Sequence, residues 1–318
     1  MHHTYLDFEG KIILVNTNTK VLVNHINALN ISTQRKRPDF IVHFFKDDKE
    51  KFDLNLERKE LIISQPDLED VSSGYKYYNT LKWLMRILNL VYYPDAFSFH
   101  ASSFSYKQKG FLASSVGLAG KSTFAILASM YGGEYINDEY SFVKFRDNNP
   151  YVFGYPEIGA HIRIGTKRAL KLDYSDELKT RYNLYNKGRI FRAESDDSKI
   201  DVNKLGKTAR GHKLDYVLFL NIDLDNNFSV KKIPMEEAAP MLRLSLLKHV
   251  FKLLFLDDIL YTQQNVPAIL NKLEKRFGYS SIIINQFIDR VLKSVECYKV
   301  SNNLEIKDVM KCLNSLTK

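Results

Sequence analysis

Gly110-Phe-Leu-Ala-Ser-Ser-Val-Gly-Leu-Ala-Gly-Lys-Ser-Thr-Phe-Ala-Ile-Leu-Ala-Ser-Met130 reads as an apolar strand, a glycine-containing loop and a helix. Lys121 and Ser122 fall at the helix start. Backbone N–H groups there lack intrahelical partners and the helix dipole is positive, so a phosphate is stabilised at that point. The nucleotide-binding candidates are Ser115, Gly117, Leu118, Ala119, Gly120, Lys121, Ser122 and Thr123. Lys121 can reach terminal phosphates, and the Ser122 hydroxyl can ligate Mg²⁺. One position departs from G-x-x-x-x-G-K-[ST], because Ser115 stands where the first Gly is usual. The alternative is an ordinary tight strand–helix turn with a surface Lys.

The chain has 318 residues, 45% hydrophobic and 13% aromatic, enough for one large domain or two smaller ones. No run is long enough to cross a bilayer, and the most apolar stretch, Leu242–Leu256, is interrupted by Arg243, Lys248, His249 and Lys252. The first residues lack the charged and apolar regions of a signal peptide. Cys297 and Cys312 have no metal or redox spacing and read as buried free thiols. These features point to a cytoplasmic protein with no membrane partner.

The net charge of +9 is uneven: residues 163–213 hold 14 Lys+Arg against 7 Asp+Glu. Such an excess concentrates anionic ligands nearby. No nucleic-acid module pattern accompanies it, which argues against a nucleic-acid partner. A solvated loop region, or a surface for phosphate or an acidic peptide, accounts for it.

Two regions are expected, residues 1–95 and 96–318. The first is β-rich, with strands at Lys11–Val15, Lys20–Val23, Asp39–Phe45 and Glu60–Ser64. It ends in a helix near Tyr75–Tyr92, whose apolar stripe reads as core. The second opens with strands at Phe97–Ala101 and Gly110–Ser114. The Lys121 helix stops at Gly132-Gly133. A short strand then ends at Asn137-Asp-Glu139, and Tyr140–Phe145 and Tyr151–Gly154 form a hairpin across Asp147-Asn-Asn-Pro150. Tyr216–Ile222 is an apolar strand, helices follow at Pro234–Leu256, Ser280–Val295 and Leu304–Leu316, and Glu296–Val300 is a last strand.

A phosphate loop of this kind needs a carboxylate for Mg²⁺ or for the attacking group. A three-turn helix returning to a neighbouring strand places Asp138 beside the loop, as magnesium ligand or general base. The alternative is a turn carboxylate between two strands. His100 lies on the strand before the loop, where a lone His is usually a satisfied core or edge residue.

Taken together, His100-Ala-Ser-Ser103, Ser115–Thr123 and Asn137-Asp-Glu139 resemble the HPr kinase/phosphorylase family, whose fold is related to phosphoenolpyruvate carboxykinase. The resemblance spans roughly Phe97–Arg163 and is an outline elsewhere. It implies an α/β (α+β) fold: an HPr kinase C-terminal domain-like mixed sheet with a P-loop helix, preceded by a smaller β-rich N-terminal region. It also implies ATP and Mg²⁺ as cofactors, Asp138, His100 and Lys121 as catalytic residues, and Ser122, Asp138 and Glu157 as metal ligands. Glu157 comes from matching Pro156-Glu-Ile-Gly159 to the family's Glu-Ile-Arg-Gly element.

The acidic pair is Asp-Glu rather than Asp-Asp, and no Arg-Pro-Gly-Arg-Asn-like segment occurs, so phosphorylase activity is not implied. The chain looks closer to divergent kinases of the family. Some of those phosphorylate a Ser of ribosomal precursor peptides, lasso peptides among them; others act on small hydroxyl compounds such as free serine. The expected activity is therefore ATP-dependent phosphorylation of a hydroxyl, most readily Ser of a peptide or small protein. The alternatives are a small-molecule hydroxyl kinase and a non-catalytic nucleotide-binding regulator. Lys187, Arg189 and Arg192 are candidates for gripping the transferring group or an acidic substrate. The family's bifunctional members form hexamers, which leaves a homo-oligomer open.

Overall fold

The structure, a computed structural model, describes residues 1–8, 10–28, 37–47, 51–55, 57–65, 84–85, 88–89, 96–115, 120–156, 160–162, 198–200, 206–222, 228–253, 274–275, 280–302 and 306–318. The chain divides into two compact units, Met1–Tyr92 and Tyr93–Lys318.

Alternating apolar residues build the first unit. Strands β1 (His2–Phe8) and β2 (Lys11–Thr17) pair antiparallel through a turn at Gly10. They bury Leu6, Phe8, Ile13 and Val15 on one face. Helix α1 (Lys20–Ala28) leads to β3 (Phe40–Lys46), and β4 (Lys51–Asn55) and β5 (Glu60–Gln65) follow. The sheet order is β1-β2-β3-β5-β4.

Lys20–Val23, expected as a strand, is the start of α1. The physical reason is topological. β2 and β3 are parallel, and parallel neighbours need a crossover between them. The β-branched run is wound into that crossover, where Leu22 and Ile26, one turn apart, are both buried. The expected Tyr75–Tyr92 helix lies mostly outside the described residues. Within it, Leu84, Met85, Leu88 and Asn89 are helical and buried.

The second unit is built on a mixed sheet that carries helices. Its strands are β6 (Phe97–Phe99), β7 (Ala101–Tyr106), β8 (Lys109–Ser114), β9 (Glu134–Asn137), β10 (Ser141–Arg146) and β11 (Asn149–Phe153). After a separate pair, β12 (Ala160–Ile162) and β13 (Ser198–Ile200), come β14 (Lys207–Thr208), β15 (Gly211–Ile222), β16 (Ser229–Lys232) and β17 (Glu296–Asn302). The main order is β14-β9-β7-β8-β15-β11-β10-β6, with β17 pairing β15 and β16. Helices are α2 (Lys121–Met130), α3 (Met235–Leu253), α4 (Ser281–Leu292) and α5 (Ile306–Leu316). This is the mixed α/β arrangement expected, with a loop-to-helix unit at its centre and a smaller β-rich region before it.

Two features of this sheet place the site. First, β8 and β9 are both antiparallel to β7, so they run parallel to each other. β15 is parallel to β8 and β17 is parallel to β15. The C-terminal ends of β8 and β9 therefore open on one edge together with the start of β7. In open α/β sheets such an edge is where ligands bind. Second, the sheet curls: Ser141 at the start of β10 donates to the Ala101 carbonyl (3.0 Å), and its Oγ lies 2.9 Å from the Ser103 hydroxyl on β7.

α2 leaves the end of β8 and packs back on β7, β8, β9 and α5. Its seam joins Phe104, Phe111, Phe124, Tyr135, Leu218, Val300, Val309 and Leu313 in one buried cluster. At about 25 cal/mol per Å² of apolar surface, burial on this scale is the main force holding α2 to the sheet. The helix ends where expected, with Gly132 at φ 97°. Cys297 and Cys312 are free and buried, and burial pushes both thiols up to about 12. They stay protonated near neutral pH, in keeping with their reading as inert core residues. Among the described residues no helix is long and apolar enough to cross a membrane.

Candidate active site

The loop closes at Gly120, which stands at the N-cap of α2 with φ 86°. That left-handed conformation suits glycine, and glycine brings no side chain to cap the first amides. Its carbonyl accepts the first helical bond, from Phe124 N–H at 2.9 Å. The helix start therefore keeps its positive end turned toward the loop, which favours an anion there.

Lys121 is 8% exposed, and its Nζ donates to Ser115 Oγ at 3.0 Å. The two ends of the loop are thus joined by the irregular position itself: a glycine at 115 would offer the ammonium no side-chain oxygen. Ser122 Oγ lies 2.9 Å and 3.0 Å from the two carboxylate oxygens of Asp138. Ser102 Oγ, on β7, also donates to Asp138 Oδ1. Asp138 is 1% exposed. Its oxygens, acceptors when ionised, are met by hydroxyl donors from a strand and from a helix start.

His100 sits in the break between β6 and β7 rather than within a strand. α3 holds its backbone on both sides: His100 N–H donates to the Ser245 carbonyl (2.9 Å), and Ser245 Oγ donates to the His100 carbonyl (3.2 Å). Its Nδ1 is 3.1 Å from the Glu139 carbonyl. A carbonyl only accepts, so Nδ1 carries a proton. Burial, followed by the positive charges of Lys121 and Lys248, lowers its pKa to about 2, against a smaller opposing pull from Glu139. His100 is therefore a neutral hydrogen-bond donor, bonded to the residue after Asp138.

That residue turns the chain. Glu139 has φ 69°, and Tyr140 N–H bonds back to the Asp138 carbonyl at 2.8 Å, which closes a γ-turn. A non-glycine residue at positive φ costs about 1–3 kcal/mol and persists only where its surroundings hold it. The holders are His100 on the Glu139 carbonyl and Asn137 Nδ2 on the Tyr140 carbonyl. Tyr135, wholly buried beneath this turn's carboxylates, has its hydroxyl pushed well up by burial, then by Asp138 and its neighbours.

Gly154 abuts Asn137 so closely that a Cβ would fall 2.4 Å from Asn137 Cβ. Gly154→Ala is therefore expected to push Asn137 off its turn and destabilise the chain by about 1–3 kcal/mol in urea unfolding. An unchanged midpoint would show that Asn137 has room to move.

A second expectation concerns pH. Folded His100 stays neutral down to about pH 2, whereas unfolded it gains a proton near its ordinary value of 6.5. Between those values the unfolded chain binds more protons. His100 thus favours folding fully above pH 6.5, and that contribution is lost as pH falls toward 2. His100→Gln cannot charge. Below pH 6.5 the stability difference, wild type minus variant, should shrink by up to about 1.4 kcal/mol per pH unit in urea titrations. Parallel pH profiles would mean that His100 titrates normally.

Gly117, Leu118, Ala119, Glu157, Lys187, Arg189 and Arg192 lie outside the described residues. Thr123 is fully buried, so a contact with phosphate would come from its backbone. Sequence reading did not single out Ser102, Ser245, Lys248 or Gly154 as site residues. The Ser-rich start of β7 was the available signal, but its meaning depends on which strand lies beside it. Among the described residues no group of three or more His, Cys, Asp or Glu could cage a metal. The donor set that is present, a hydroxyl and a carboxylate at a helix N-terminus beside an ammonium, suits a hard cation sharing its coordination with phosphate oxygens.

No family model and no curated protein matches this chain. Among solved structures, the HPr(Ser) kinase/phosphatase from Coxiella burnetii is similar with a TM-score of 0.32 and 12% identity, covering 69% of this chain and 95% of that one. A likeness this faint carries no functional argument, so function rests on the site's own atoms.

Proposed function

We propose that the chain is an ATP-dependent kinase that transfers the γ-phosphate to a hydroxyl, with Ser of a peptide or small protein as acceptor. The observation that carries this is the reach of Asp138 to Ser122 at the N-terminus of α2, next to the buried residue Lys121.

Lys121 and the loop and helix amides would bind the β- and γ-phosphate oxygens. Ser122 Oγ would be a Mg²⁺ ligand next to Asp138, with Glu157 as a further ligand. Mg²⁺, when bound with the nucleotide, offsets the phosphates' negative charge. In the reaction a bond forms between the acceptor oxygen and the γ-phosphorus. The bond from that phosphorus to the β–γ bridging oxygen breaks, and its electron pair leaves with ADP. The acceptor's proton passes to the Asp138 carboxylate. Little covalent work falls to the protein, so positioning and charge account for the rate. His100 keeps Asp138 aimed by holding the Glu139 carbonyl.

The test is incubation of the full chain with γ-labelled ATP and Mg²⁺, alongside Ser-containing peptides or free serine. Label on a peptide supports the reading as stated. Label on serine alone moves the acceptor to a small molecule. Tight ATP binding without transfer to either would make the chain a nucleotide-binding regulator.

A further inference from the structure

Asp138 is held by two serines that differ in kind. Ser122 sits in the first turn of α2, at the end facing the loop. Ser102 sits within β7, between neighbours β8 and β9, where it pairs with Ala113 of β8 and is 0% exposed. It shares its strand face with Phe104 and Tyr106, which pack into the core beneath α2. A hydroxyl on such a face is costly unless it is bonded. The Ser102 hydroxyl spends its proton on Asp138 Oδ1. The strand ladder fixes its backbone, so it offers an anchor that the helix start does not.

We infer that Ser102 is a positioning residue of the site: it pins Oδ1 of Asp138, which keeps the carboxylate turned toward Ser122 and the Mg²⁺–phosphate position. The inference rests on the proposed kinase reading of Ser122 and Asp138. The Ser102 hydroxyl bonds to Asp138, so Ser102 acts through that carboxylate. His100 bonds the carbonyl of Glu139, the next residue, so backbone and side chain are held separately.

The experiment measures ATP affinity of the full chain by calorimetry, once with Mg²⁺ and once in EDTA. The variants are Ser102→Ala, Asp138→Asn and the double substitution. Ser102→Ala should leave the EDTA affinity within about twofold of wild type, while the gain conferred by Mg²⁺ falls about tenfold, as for other groups that orient a metal ligand. In the Asp138→Asn background, Ser102→Ala should take nothing further from the Mg²⁺ gain, because the charge that Ser102 positions is already gone. A merely structural role would instead add its loss in full.

Ser102→Cys, of similar size but a weak donor, should fold and lose the gain. Ser102→Thr, which keeps the hydroxyl, should retain it to within about threefold. These two variants decide the matter if Ser102→Ala fails to fold. The inference is overturned if Ser102→Ala or Ser102→Cys keeps the full Mg²⁺ gain, or if the losses add. If the wild type binds no ATP, the kinase reading falls and takes the inference with it. If the wild type binds ATP and only the Ser102 variants behave as wild type, the kinase reading stands alone.

Discussion

Lys121→Ala is expected to remove ATP binding and phosphate transfer together, each by about a hundredfold or more. Lys121 is 8% exposed and its ammonium is bonded to Ser115, so water screens the charge poorly. A triphosphate at the start of α2 would lose its one described lysine partner from the loop. Lys121→Arg should not restore full function, because a planar guanidinium fork does not reproduce a compact ammonium tethered to Ser115. Equilibrium binding of a fluorescent ATP analogue, with circular dichroism as the folding control, checks this. Wild-type affinity in Lys121→Ala would show that the loop is an ordinary strand–helix turn.

Asp138→Asn should separate binding from chemistry. The amide keeps the side chain's size and can still accept a hydrogen bond from Ser102 or Ser122. It loses the charge and the ability to take the acceptor's proton. ATP affinity in EDTA should stay within about threefold of wild type, while transfer falls by about 10²–10⁴, the usual worth of a positioned general base. Single-turnover transfer from labelled ATP measures it. Near-normal turnover would remove Asp138 as the proton acceptor and point to another group.

Both expectations could be framed from the sequence because the elements they need are local. Gly110–Ser114 is apolar, Gly120 suits a left-handed turn, and Lys121–Met130 carries helix formers. Each signal is complete within a few residues, and the structure forms β8 and α2 from them. The hairpin across Asp147 and Asn148 was legible for the same reason, since both residues tolerate the positive φ they adopt. Lys20–Val23 was misread because three β-branched or apolar residues after a Lys do not reveal whether the next strand is parallel. Once β2 and β3 are parallel, that run has to become a crossover helix.

By itself, then, the sequence determined that a strand leads through a glycine-closed turn into a helix, and that an acidic pair stands at the end of the next strand. Only the tertiary structure decided what those groups touch. Ser102 meets Asp138 across 36 residues, and Ser245 meets His100 across 145. These contacts exist because β7 lies between β8 and β9, and because α3 docks on the break after β6. The same packing made His100 a neutral clamp on the Glu139 carbonyl. It also gave Ser115 a purpose, as the oxygen that holds Lys121. Local composition sets which backbone a segment prefers. Strand order and burial set which side chains share a dry pocket, and there hydrogen bonds and charge act at full strength.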